Sequence, residues 1–104
     1  MAITSNPAIQ NGAVSTCLGI HSFLNITTTT VIKTVPGRIC TVNVLIAGSS
    51  VGTVFDHAAT SGLVTANLVA AIPEAVGTYV INFPCSVGIV ITPPPTGTVS
   101  VSFN

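Results

Sequence analysis

The segment Gly97-Thr98-Val99-Ser100-Val101-Ser102-Phe103 alternates without interruption. Successive side chains of an extended chain point to opposite faces. Val99, Val101 and Phe103 therefore share one face, and Thr98, Ser100 and Ser102 share the other. That is the pattern of a strand half-buried against a core.

The same chemistry runs back toward the N-terminus. Val, Ile and Thr dominate, and these β-branched residues lose side-chain freedom in helices but pack well on a pleated sheet. Strands are expected at Thr27–Val35, Arg38–Ala47, Gly52–His57, Ala66–Ile72, Thr78–Phe83, Ser86–Thr92 and Gly97–Phe103. In Arg38–Ala47, the longest, Cys40, Val42, Val44 and Ile46 fall on one face and Ile39, Thr41, Asn43 and Leu45 on the other. Both faces are fairly apolar, which suits a central strand. Pro36-Gly37 suits a type II turn, with Gly supplying the positive φ. Pro84 should interrupt a strand, and Pro93-Pro94-Pro95 cannot donate to a ladder.

These signals predict an all-β, antiparallel β-sandwich, of which a small jelly roll is one form. Closure into a barrel is the alternative. Residues 1–26, with turn formers at Asn6-Pro7 and Asn11-Gly12, read as an extended N-terminal arm carrying at most one strand. Residues 27–104 form the sandwich domain.

Charge is the rarest commodity in the chain. Lys33, Arg38, Asp56 and Glu74 are its only charged residues among 104, and they cancel. A typical soluble domain is about 25% charged. Zero net charge removes the repulsion that keeps copies apart. No run reaches the roughly 18 apolar residues of a spanning helix. Met1–Gln10 lacks a basic n-region, and the first positive charge is Lys33, which points to use without Sec export.

The same scarcity removes most chemistry. Asp56-His57 is an adjacent pair on a strand, so the side chains diverge and cannot form a relay with each other. Hydrogen bonds from this pair to loop backbone are the simpler expectation. No Gly-x-Ser-x-Gly elbow and no phosphate loop is present. Cys17-x-x-x-His21 is a loose metal spacing, and Cys40, Cys85 and His57 could converge, but no Cys-x-x-Cys pair exists. Cys17, Cys40 and Cys85 are odd in number and widely spaced, so buried free thiols are expected. Lys33 and Arg38 flank the Pro36-Gly37 turn; they either solvate a hairpin end or pair with acids of a neighbour. One Lys and one Arg make no basic footprint for nucleic acid. No residue is assigned a catalytic, cofactor-binding or metal-ligating role. The expected class is a non-enzyme without nucleic-acid, membrane or small-molecule partners.

Several turn-and-strand runs carry a resemblance. These are Val31-Ile32-Lys33 with Pro36-Gly37-Arg38, then Val42-Asn43-Val44 with Ala47-Gly48-Ser49, and then Gly52-Thr53-Val54-Phe55-Asp56. Further along come Ala71-Ile72-Pro73, Gly77-x-Tyr79-x-Ile81-Asn82-Phe83-Pro84, Gly88-Ile89-Val90-Ile91 and Val99-Ser100-Val101-Ser102-Phe103. Together they resemble small all-β structural proteins of tailed bacteriophages and prophages, from Thr30 to Phe103. The resemblance implies a virion component, foremost a capsid cement or decoration protein on the head surface, assembled in the host cytoplasm. Its implied partners are the major capsid protein and copies of itself, as a dimer or trimer. A head-fibre base or tail component is the alternative, and a non-viral β-sandwich binding module a further one.

Overall fold

The structure, a computed structural model, describes residues 19–104. It is a two-sheet antiparallel β-sandwich. The strands in chain order are β1 His21–Ile26, β2 Thr30–Lys33, β3 Gly37–Ile46, β4 Gly52–Phe55, β5 Leu68–Ile72, β6 Gly77–Cys85, β7 Ile89–Thr92 and β8 Thr98–Phe103. One sheet runs β1-β8-β3-β6 and the other β2-β7-β4-β5. The first and second halves of the chain thus pair β1 with β8, β2 with β7, β3 with β6 and β4 with β5. Those pairs alternate between the sheets, so the chain is one long antiparallel ribbon rolled onto itself.

The core between the sheets is aliphatic. Ile26, Ile39, Val42, Val44, Val54, Ile72, Ile89, Ile91, Val99 and Val101 form it, with Cys85 at its margin. Val99 and Val101 face inward as the alternation of that strand requires, and Phe103 packs against the core. β3 is central, between β8 and β6.

Several local expectations are corrected. His21–Ile26, placed in the arm, is an edge strand hydrogen-bonded to β8, so the sandwich begins before residue 27. Its residues do not alternate, and only Ile26 is buried, which left no periodic signal. The remainder of the arm, residues 1–18, lies outside the described residues. In β3 the two-residue period breaks. A register shift between Ile39 and Thr41 brings Ile39 into the core with Val42 and Val44, while Ile46 at the far end is exposed. Gly37 has no positive φ and begins β3 paired with Cys85. Its lack of a side chain serves close approach, since a Cβ there would press on the Asn104 carbonyl and the Lys33 side chain. β6 runs through Pro84, which an edge strand tolerates because its missing N–H can face outward.

The sheet edges are protected chiefly by geometry, with Lys33 the one charge among these devices. β1 has a left-handed Asn25, φ 57°, at a register shift against β8. β6 has a left-handed Asn82, φ 49°, beside its own register shift against β3. Asparagine tolerates this backbone region better than most residues. Such irregularities twist an edge away from further pairing. In the other sheet, β2 is only four residues long and ends in Lys33, and β5 is followed by Pro73.

Candidate functional site

The four charged side chains lie toward the ends of the sandwich, leaving the middle of each sheet without formal charge. Three of them, Lys33, Arg38 and Asp56, gather at one end, where the connections after β2, β4 and β6 meet. This end organises the most specific polar construction of the molecule.

Asp56 follows directly on β4. Its backbone N–H donates to the Asn67 carbonyl at 2.8 Å, which anchors a 3-10 turn at Thr65–Asn67. Its carboxylate reaches the connection between β6 and β7. Oδ2 accepts from the Ser86 N–H at 2.9 Å, and Oδ1 accepts from Val87 at 2.8 Å and Gly88 at 3.2 Å. Three consecutive backbone donors thus converge on one carboxylate. Burial alone would raise the Asp56 pKa. The N–H groups of Ser86, Val87 and Gly88, with His57 beside them, outweigh it and hold the carboxyl below its ordinary 3.8. Gly88 is required by crowding: a Cβ would come within 2.5 Å of the Lys33 carbonyl oxygen and 2.6 Å of that of His57.

The expectation that Asp56 and His57 bond to loop backbone therefore describes their geometry. His57 Nε2 lies 3.0 Å from the Ser61 carbonyl and takes no part in an Asp–His relay. Arg38 is more than a solvated hairpin residue. Its Nη1 donates to the Asn82 carbonyl and Oδ1, at 3.3 and 3.2 Å, bracing the irregular part of β6. Among the described residues no three His, Cys, Asp or Glu side chains converge as a metal site would need. Cys17 lies outside the described residues.

The cysteines correct a further expectation. Cys40 is disulfide-bonded, so it is not a free thiol. Cys85 is free and buried. Burial first, then the negative charge of Asp56, pushes the Cys85 thiol up to about 11. The thiolate is the reactive form, so Cys85 is expected to resist alkylation in the native protein and react rapidly after unfolding. Thiol titration in denaturant is expected to count fewer thiols before reduction than the three of the full sequence, because Cys40 reacts only once its disulfide is reduced. Three thiols before reduction would contradict the disulfide.

Beside Asp56 the two sheets leave an opening between edge strands β5 and β6. It is a pocket of about 270 Å³ lined by Asp56, Ala66, Asn67, Leu68, Val69, Phe83 and Val87. Leu68, Phe83 and Val87 are each between two-fifths and one-half exposed (44%, 45% and 49%). No sequence signal marks this pocket, because its walls come from three separated segments. No family model, curated protein or solved structure matches the chain, so the site is read from its own geometry.

Proposed function

We propose that this chain is a structural virion protein, a capsid cement or decoration protein that bridges major capsid protein subunits on a bacteriophage head. The observation that carries this reading is a rolled β-ribbon whose sheets lack formal charge between their ends. We read the winding as a jelly roll, an architecture used by viral capsid domains and also by lectins and cupins. Winding alone does not choose among these; the resemblance of Thr30 to Phe103 to phage structural proteins tips the choice. Charge-free faces lower the desolvation cost of contacts with neighbours. Thr, Ser and Asn supply hydrogen bonds without burying ions. Exposed Leu45, Ile46, Val51, Val76 and Val80 add apolar area. Protein that binds the assembled shell but not its free subunits shifts the equilibrium toward the shell. A disulfide at Cys40 suits a particle that functions outside a reducing cytoplasm.

The test is made on purified particles. The chain is expected at a copy number matching the capsid lattice, and a mild chaotrope should release it and lower head stability. A copy number matching a tail or a single vertex, or release without any loss of head stability, overturns the reading.

A further inference from the structure

The pocket between β5 and β6 contains a carboxylate that no Lys or Arg among the described residues pairs with, His57 being its titratable neighbour. Asp56 sits in its wall, and its hydrogen-bond partners are all neutral backbone N–H groups. The chain's two basic side chains are placed elsewhere, Arg38 on Asn82 and Lys33 over Gly37. The rest of the wall combines the amide residue Asn67 with Ala66, Leu68, Val69, Val87 and Phe83, whose aromatic ring is partly exposed.

We infer that this pocket receives a lysine side chain of a neighbouring protein chain, with its ammonium at Asp56 and its stem along Leu68, Val87 and Phe83. The occupancy of the carboxylate selects lysine over arginine. Oδ1 already accepts two hydrogen bonds and Oδ2 one. A carboxylate oxygen has two lone pairs, so one site remains. A guanidinium fork needs two parallel acceptors, whereas an ammonium binds as a point charge. A four-carbon stem can cover apolar surface while its head keeps the polar contact. The Phe83 ring adds apolar surface for that stem. This proposal deepens the assembly reading and rests on it for the source of the lysine.

The experiment is an NMR titration of the whole chain with Nα-acetyl-lysine-N-methylamide, with the norleucine analogue as neutral isostere and cadaverine as free amine. The lysine amide is expected to shift resonances of Asn67, Leu68, Phe83 and Val87 with weak affinity that falls as salt is raised, while the norleucine analogue shifts none of them. Phe83→Ala should weaken binding roughly fivefold, the scale of losing about 40 Å² of apolar contact with the stem. Val87→Lys, which sets a competing ammonium at the rim, should abolish it; a native spectrum for each variant guards against misfolding. Equal binding of the norleucine analogue, binding of cadaverine alone, or no binding overturns the proposal. The two readings fail separately. Absent lysine binding with normal incorporation into particles defeats the pocket alone, and lysine binding in a chain absent from the head defeats the assembly reading.

Discussion

Replacing Asp56 with Ala is expected to destabilise the protein by about 2–3 kcal/mol, since hydrogen bonds to charged groups are individually worth about 1.5–3 kcal/mol and those here share one partly exposed carboxylate. The N–H groups of Ser86, Val87 and Gly88 lose their common acceptor; the Gly88 bond is part-buried, while those of Ser86 and Val87 are exposed and can turn to water. For a domain of this size each kcal/mol lowers Tm by roughly 4–8 °C, so calorimetry should record a fall of about 10–20 °C. Asp56→Asn should fall between the two. Its amide oxygen can still accept from Val87 and Gly88, but its NH2 group then faces the Ser86 donor. The pH dependence has a definite sign. The folded pKa of Asp56 lies below its ordinary 3.8. Its contribution is therefore complete above the unfolded value and is lost as pH falls through the folded one. Wild-type stability should decline in that acid range, and Asp56→Asn should flatten this part of the decline. An equally steep acid limb in the variant would show that Asp56 is not its source.

The fold was legible where local chemistry and burial agree. β8 alternates in sequence because Val99 and Val101 face the core, although Ser100 on its other face is also buried. β3 reads as central because it is flanked on both sides. β1 was not legible, since an edge strand with one buried residue shows no period. Neither was the bulge at Cys40, whose effect on Ile39 depends on how β6 and β8 pair with β3. The role of Asp56 was half legible. A lone acid after a β-branched run suggests a cap, but its donors lie 30 to 32 residues away, and only the rolled winding brings them together. The pocket belongs wholly to that second class. Phe83 and Leu68 read simply as strand residues until their two edges are seen to flank one opening.

The largest loss is expected from Ile91→Ala, about 3–4 kcal/mol within the 2–5 kcal/mol span of such truncations. Ile91 is fully buried in β7. It pairs with Thr30 on one side and Val54 on the other, and it belongs to the core cluster between the sheets. Close packing from both sheets leaves the cavity little room to collapse. Val90 gives the control. It too is fully buried, yet it stands outside that cluster, paired with Val31 and Phe55. Adjacent residues of a strand face opposite ways, so Val90 lies on the face away from the core cluster, where a gap is not enclosed between two sheets. Val90→Ala should therefore cost only about 1–2 kcal/mol, near the transfer value of the two methyl groups removed. Urea denaturation of both variants measures the difference directly. Equal losses would mean that Val90 is packed as rigidly as the core. Because neither substitution touches a charged or exposed group, both variants should retain whatever lysine affinity the wild-type pocket has while they remain folded.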